Sequence, residues 1–496
     1  MNALEQIKAH GTGRISLTLP PGLAQRLFDH LFPGDDDEHG AVIGAGLAED
    51  GAGGLRLLAR DLVVARDGVD YVPGKHGYRM LTGEFVTRQI LRCARQQLVY
   101  LAIHNHGGSD RVAFSDDDLA SHQRGYPALL DITRGHPVGA LVFAENAVAG
   151  RIWLSRTRQV DLDGARVIGT PWRHLRASPA PRPPARAETY DRQARLFGDR
   201  GQELLRGLKI GVIGAGGAGT LLVEYLARLG VGHLVVVDPD RVDPTNLPRM
   251  PGATRWDAMS WMRGASAPRW LRTLGARLAA PKVRVMQRIA ERAQRGIRIE
   301  ALQANFVDDR TARRFIDCDY LFLAADTMQA RLVFNALVHA YLIPGVQVGV
   351  KIPVDPDSGK VGEVFATSRP VTPTSGCLWC NGLISPARLQ QEAESAVQRK
   401  LQRYVDDPEV VAPSVITLNA LAASMAATDF LFTATGLAQG TASPDYARYL
   451  PREHRLVHDE PRRDDGCLHC GVGAASILAR GGAADLPTSE GGPRHS

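Results

Sequence analysis

The stretch Gly211-Val-Ile-Gly-Ala-Gly-Gly-Ala-Gly-Thr220 decides how the larger part of this chain folds. The run Leu208-Lys-Ile precedes it, and LLVEYLARLG follows with helical spacing. A strand, a glycine turn and a helix in that order make a corner that cradles phosphate. Gly214, Gly216 and Gly219 fit G-x-G-x-x-G, Gly217 adds a further glycine, and Asp238 closes the next strand, LVVVD. Alone, that pattern suggests a dinucleotide site. The motifs downstream point to a triphosphate instead: Asp238-Pro-Asp240, Asn246-Leu-Pro-Arg249, Lys282, and Asp326 followed by Arg331. A dinucleotide has no use for two guanidiniums, an ammonium and a second acid on one phosphate turn. A triphosphate under attack by a carboxylate does.

Working outward, strands and helices alternate from residue 190 onward: KIGVIG, a helix, HLVVVD, helices, RIEALQANF, a helix, YLFLAAD, a helix, PGVQVGVKI. This predicts an α/β, mostly parallel, doubly wound Rossmann-like sheet with its crevice at the strand C-termini. Residues 1–175 read differently. Short apolar runs separated by turns (RISLTLP, GAVIGAGL, LRLLARDLVVA, LVYLAIHNH, VGALVFA, GRIWLS) are interrupted by helical patterns near 21–31 and 80–97. That predicts an α+β domain with a mixed sheet. Pro179, Pro181, Pro183 and Pro184 make residues 176–188 a linker. The second domain is read as 189–480 and the tail 481–496 as disordered.

The roles at the glycine turn follow from charge. Backbone N–H groups approach phosphate closely there, Asp238 suits ribose hydroxyls, and Arg249 and Lys282 can neutralise phosphate oxygens. Asp326 at a strand end can hold Mg²⁺. At these residues, together with Tyr190-Asp-Arg192-Gln193 and the helix APSVITLNALAAS, the chain resembles the family of ThiF, MoeB and the ubiquitin-activating enzymes. The resemblance implies adenylation of the C-terminal glycine of a ubiquitin-like protein. It assigns contacts to ATP or its Mg²⁺ to Asp238, Asn246, Arg249, Lys282 and Asp326. It also implies that Arg192 reaches in from a second protomer of a homodimer. Between Arg249 and Lys282 lie 32 residues, more than compact members of the family carry.

Two C-x2-C knuckles, Cys377-Leu-Trp-Cys380 and Cys467-Leu-His-Cys470, match a closed structural Zn²⁺ site. Only Cys93 and Cys318 remain, both read as core or flank residues. Residues 381–411 contain no cysteine. Thioester-forming members of the family place theirs after the first zinc knuckle, so the resemblance implies adenylation without an enzyme thioester.

A second site is written in the first domain. His104-Asn-His106 ends the strand LVYLAI, and Ser115-Asp-Asp-Asp118 opens a helix after an eight-residue gap. Two imidazoles two residues apart on an extended segment share one face. With Asp118 they make three protein ligands for a catalytic Zn²⁺. Glu38, at the mouth of the strand GAVIG, can act as general base. The pattern resembles the JAMM/MPN (JAB) metalloproteases over about residues 15–155. That resemblance implies cleavage after ubiquitin-like C-terminal glycines, with Ser115 stabilising the oxyanion. The spacing from His106 to Ser115 is one residue longer than usual, and Gly107 replaces the usual proline, which leaves Asp117 open as an alternative ligand. His39 and His122 are expected to face solvent.

Charge is +6 over 496 residues and spread along the chain, which gives no nucleic-acid footprint. The N-terminus lacks an apolar signal core, and the longest apolar run (415–438) carries Asn419 and Asp429. It therefore reads as a core helix rather than a membrane span. A cytoplasmic chain is expected, with no membrane or nucleic-acid partner. The expected partners are a ubiquitin-like protein and a conjugating enzyme or sulfurtransferase. The competing readings are an NAD-dependent oxidoreductase with a structural zinc domain and a binding scaffold with dead sites.

Overall fold

The computed structural model describes residues 13–51, 53–73, 79–179, 188–355, 358–393, 413–438 and 445–489. Most of the expected linker and the last seven residues lie outside these. The chain divides into two compact units: Met1–Arg182 with His339–Leu342 and Asp465–Asp485, and Pro183–Val338 with Ile343–Asp464 and Leu486–Ser496. Asp465–Asp485, which a linear reading places with the second domain and tail, therefore belongs to the first unit.

The first unit is an eight-stranded mixed sheet. Its strands are β1 (Ile15–Leu19), β2 (Gly40–Glu49), β3 (Leu55–Val64), β4 (Val99–Asn105), β5 (Val138–Phe143), β6 (Val148–Ser155), β7 (Arg158–Val167) and β8 (Arg173–Leu175). The order is β1-β3-β2-β4-β5-β6-β7-β8, and β1 also pairs with β7, so the sheet curls back on itself. Helices α1 (Pro21–Leu31), α2 (Gly83–Arg95) and α3 (Asp116–Ile132) accompany it. Period-two alternation splits the core. Val99, Leu101 and Ile103 of β4 join Ala41, Ile43 and Ala45 of β2 in one cluster. Leu98 and Tyr100 join Val42, Phe85 and Ile90 of α2, and Tyr126 and Leu130 of α3, in the other. Each strand thus seals two apolar layers.

The tail 479–482 is ordered on this sheet. Gly481 bridges Leu47, and Gly482 N–H donates to Leu47 O at 2.8 Å. A side chain at Gly46 would lie 1.9 Å from Ala479 O, so glycine alone permits the approach. This corrects the expectation of disorder from residue 481. In the second unit, Ser489 likewise donates its N–H to Val307 O at 2.9 Å. Such backbone bonds outweigh the polar composition that suggested disorder.

The second unit holds β9 (Lys209–Ile213), β10 (His233–Val237), β11 (Arg298–Leu302), β12 (Tyr320–Leu323), β13 (Gly345–Lys351), β14 (Phe365–Val371), β15 (Tyr446–Leu450) and β16 (Arg455–Asp459). The order is β11-β10-β9-β12-β13-β14-β15-β16. The first five strands are parallel, as expected. The antiparallel extension β14–β16 is not apparent in the sequence. Helices are α4 (Asp191–Gly207), α5 (Gly217–Leu229), α6 (Arg269–Leu278), α7 (Lys282–Ala293), α8 (Met328–Ala340), α9 (Pro386–Ala393) and α10 (Ile416–Thr435). Among the described residues, α10 alone is long and apolar enough to cross a membrane. Here it packs on α5, β13 and β14, with Ala422, Ala423, Ala426 and Phe430 buried.

The corner between β9 and α5 is a very close backbone contact. A Cβ on Gly219 would lie 1.9 Å from Gly214 O, whereas one on Gly216 meets nothing within 4 Å. Gly219→Ala is therefore expected to destabilise the chain by about 3 kcal/mol, read as a lower urea midpoint. Gly216→Ala should leave the midpoint unchanged. Equal midpoints for the two variants would contradict this account of the corner.

Candidate functional site

β9 is the strand at which the sheet order reverses, and its neighbours β10 and β12 end beside it. Three strand ends therefore open on one crevice. Gly214 takes φ +102°, and a side chain there would lie 2.9 Å from the backbone of Ala324 and Ala325. That approach carries Asp326, exposed two residues beyond Ala324, alongside the turn. A side chain on Gly217 would meet Asn419 Nδ2 at 2.3 Å and Arg249 O at 3.0 Å. The segment bearing Arg249 thus lies against the first turn of α5, where N–H groups lack intrahelical partners. Asn419, given no role by sequence reasoning, closes the other side. Its signal was an asparagine in the longest apolar run of the chain, 415–438.

Asp238 Oδ2 accepts from Ala215 N–H at 2.7 Å, and its Oδ1 accepts from Asp240 N–H at 2.9 Å. Burial pushes the Asp238 carboxyl up from the ordinary range, opposed by the Lys282 ammonium and these two N–H donors. Lys282 Nζ lies 2.7 Å from Asp240 Oδ2 and 3.8 Å from Asp238 Oδ1. It therefore belongs to the acid pair at the tip of β10. Asn246 is buried, and its Oδ1 accepts from Asp243 N–H at 2.9 Å. That bond fixes the loop carrying Arg249.

Arg192 is not part of this constellation within one chain. Its neighbour Gln193 donates to Leu229 O at 3.0 Å, at the C-terminal end of α5. The glycine turn is at the other end of that helix, about 20 Å away. A second acid missed by sequence reasoning is Glu392 of α9. It accepts from Met328 and Gln329 N–H, both at 2.9 Å, at the N-terminus of α8 just beyond Asp326.

In the first unit, β4 places His104 on the face of Tyr100, toward α2 and α3, and turns Asn105 the other way. Asn105 Oδ1 accepts from His39 N–H at 2.6 Å, and Tyr71 Oη accepts from Gly40 N–H at 2.8 Å. These two bonds hold the Glu38 segment beside β4, and neither was legible in the sequence. His104 Nε2 and His106 Nε2 are 3.2 Å apart, and each lies 3.4 Å from an oxygen of Asp118. Glu38 Oε1 stands 3.6 Å from His106 Nε2. The structure brings His104, His106 and Asp118 together, and Asp117 is exposed.

The donor set fits a small divalent cation. His106 Nδ1 lies 3.0 Å from Ala113 O, so that nitrogen carries the proton and Nε2 offers a lone pair. The unshared pairs of His106 and Asp118 then converge beside His104 Nε2, and they repel one another unless a cation sits between them. Tetrahedral ligands at zinc distances are separated by roughly 3.3 Å, close to the edges found here. Without a cation, burial works against ionisation of Asp118, but His104 and His106 when protonated at Nε2, together with the Ser115 hydroxyl, hold its carboxyl far below the usual range. Burial pushes Glu38 up, against the two histidines.

Ser115 is the N-cap of α3, accepting from Asp118 N–H at 3.2 Å and donating its hydroxyl to Asp118 Oδ2 at 2.7 Å. His39 and His122 are buried rather than solvent-facing. His39 bonds Asp35 at 2.8 Å. His122 packs among Phe114, Tyr126 and Trp153, where burial lowers its pKa to about 4.

Within the first knuckle the sulfurs of Cys377 and Cys380 lie 3.5 Å apart. Cys377 Sγ accepts Cys380 N–H at 3.4 Å, and Cys467 Sγ accepts His469 N–H at 3.4 Å. N–H donors aimed at sulfur favour thiolate, the form that binds zinc. Cys93 and Cys318 are buried, and burial pushes the Cys93 thiol up to about 11.

A family model described as the ThiF family matches residues 190–468, more than half of the chain, so the chain belongs to that family. The sulfur carrier protein ThiS adenylyltransferase of Bacillus subtilis (strain 168) is 30% identical over 219 residues, 40% of this chain and 56% of that protein. The NEDD8-activating enzyme E1 regulatory subunit of Gallus gallus is 44% identical over 55 residues, 11% of this chain and 10% of that protein. The chain thus spans about half of the first relative and a tenth of the second. Among solved structures, E. coli MccB with ATP aligns loosely, with a TM-score of 0.41 and 17% identity over 58% of this chain and 75% of that one.

The four-thiol cluster and the histidine site should respond differently to mutation. Cys377→Ser with Cys467→Ser is expected to release one tightly held zinc and reduce folded yield. His104→Ala should leave folded yield unchanged. Full zinc retention in the cysteine double variant, measured by metal analysis, would contradict a structural centre built on the four thiolates.

Proposed function

We propose that this ThiF-family chain uses ATP to adenylate the C-terminal glycine of a ubiquitin-like or sulfur-carrier protein. The observation that carries the reading is the crevice. Asp238, Asn246, Arg249, Lys282 and Asp326 sit around one glycine turn inside the family-matched segment. The substrate carboxylate attacks the α-phosphorus of ATP, the α–β bridging bond breaks, and pyrophosphate leaves. The unpaired N–H groups of α5 hold phosphate oxygens, and Arg249 and Lys282 neutralise charge that builds on the leaving pyrophosphate. Lys282 must exchange its Asp240 contact for phosphate to do so. Asp326, exposed at the mouth of β12, would hold Mg²⁺. Arg192, at the far end of α5, serves this chemistry only from the partner subunit of a homodimer.

We further propose that the first unit is a zinc-dependent peptidase of the JAMM/MPN type, acting on the same glycine tail. Its support is the convergence of His104, His106 and Asp118, with Glu38 beside them. Zinc held there would supply Lewis acidity toward a scissile carbonyl. Glu38 takes a proton from the attacking water and delivers it to the departing amine as the C–N bond breaks. Asn105 and Tyr71 keep the Glu38 segment in place, and Ser115 orients Asp118. Cytoplasmic location and a conjugating or sulfur-transfer partner complete the reading.

Asp326→Ala should abolish ATP–pyrophosphate exchange while retaining the zinc content and unfolding midpoint of the parent. Exchange at the parental rate would remove Asp326 from the mechanism. Because Cys93 and Cys318 are both buried, no reductant-sensitive adduct should form between enzyme and acyl substrate. A thioester mapped by mass spectrometry to either cysteine would place the chain in the thioester-forming branch. Glu38→Ala should keep its metal and lose cleavage by about 100-fold or more, whereas His106→Ala should lose both. Parental cleavage by Glu38→Ala would put the base elsewhere.

A further inference from the structure

The segment between Arg249 and Lys282 is folded. Ala258 is buried with Met250, Val285 and Ile289. Asp257 pairs with Arg288 at 2.7 Å and also accepts from Thr254. Arg263 is tied to Asp243 and donates to Val242 O at 3.2 Å. Gly275 packs against Met262 and Arg263.

Its outer side is built the opposite way from a core. Along α6, Trp270, Thr273, Leu274, Arg277 and Leu278 are all exposed. That is the i, i+3, i+4, i+7, i+8 stripe which a globular helix normally buries. Trp270 is 68% exposed, and Trp256 and Trp261 are 73% and 64% exposed. The stripe runs about 12 Å along the helix. Arg277 lies within it and Arg269 flanks it, both exposed, and among the described residues neither pairs with a carboxylate. The segment carries one acid, Asp257, already held by Arg288.

We propose that this face docks on an anionic lipid surface, with the indoles and leucines entering the headgroup region and the arginines meeting lipid phosphates. Charge complementarity selects an anionic occupant. A second copy would set arginine against arginine with no acid between them. A folded protein anchors such side chains in pockets and needs a matching hollow. Arg269, Trp270, Thr273, Leu274 and Arg277 line only a shallow, open depression, all from α6, so the surface is the outward side of a single helix. A bilayer interface accepts an open helical face of this kind, and Trp with Arg is the composition that it favours. This is surface association and not a span. It does not depend on the adenylation reading.

The test uses the full chain in a sedimentation assay with large phosphatidylcholine vesicles, either alone or with about 30 mol% phosphatidylglycerol. The chain should sediment with the anionic vesicles and not with the neutral ones, and its tryptophan emission should shift to the blue. Arg269→Glu and Arg277→Glu together should weaken binding on the order of 30-fold. Trp270→Ala with Leu274→Ala should weaken it about tenfold. Both variants should keep the parental unfolding midpoint, since the changed side chains are exposed. Equal binding to both vesicles, or unchanged binding by the variants, would overturn the proposal. So would a chain that ignores vesicles but is retained, in a salt-sensitive way, on immobilised polyglutamate, which would assign the face to an acidic protein. A concentration-dependent dimer abolished by the Trp270/Leu274 variant, without vesicle binding, would overturn it in favour of a second copy.

Discussion

Gly219 and Gly214 touch backbone to backbone, and the second unit is arranged around that contact. With the Gly219 α-carbon set against Gly214 O, α5 can start only where β9 ends. The same turn then accepts Ala324–Ala325 on one side and Arg249 O with Asn419 on the other. None of these neighbours could approach if the turn carried side chains. The crevice gathers two arms of the chain because they pack against bare backbone. Charge is a consequence of that packing. Asp326 and Arg249 arrive on segments already fixed by sterics, and Lys282 enters the acid pair of the β10 tip at the start of α7.

The first unit solves a similar problem with strand geometry. Alternation along β4 sends His104 toward the helices and Asn105 toward the segment before β2. One side chain then joins His106 and Asp118 while its neighbour holds the Glu38 segment through His39 N–H. Ser115 completes the arrangement from α3 by fixing both the helix start and the Asp118 carboxylate. Three donors meet at tetrahedral edge lengths, although a whole loop separates His106 from Asp118 along the chain.

Much of this was legible. The glycine corner, the five parallel strands and the paired C-x2-C knuckles each have a local signature that periodicity and spacing expose. The choice between Asp117 and Asp118 cannot be made by counting residues. The loop from His106 to Ser115 is one residue longer than usual, and only the capping geometry of α3 turns Asp118 inward. The antiparallel strands β14–β16 escape a sequence reading because short segments separated by long intervals resemble loops. Their identity comes from pairing with β13, a contact distant in sequence. Residues 481–489 read as disordered for the same reason. Their glycine-rich, polar composition says nothing about a strand such as β2, whose Gly46 lets a distant backbone come close. Family resemblance brings Arg192 to the nucleotide from a second protomer, and within its own chain Arg192 lies beyond the far end of α5.

The central claim is that the glycine corner serves a triphosphate and not a dinucleotide. Titration calorimetry of the intact chain with Mg²⁺–ATP and, separately, with NAD tests it most directly. The account predicts saturable binding of ATP at one site per chain, weakened in Gly216→Ala, and no heat from NAD. Binding of NAD with no response to ATP would contradict it and return the chain to the oxidoreductases.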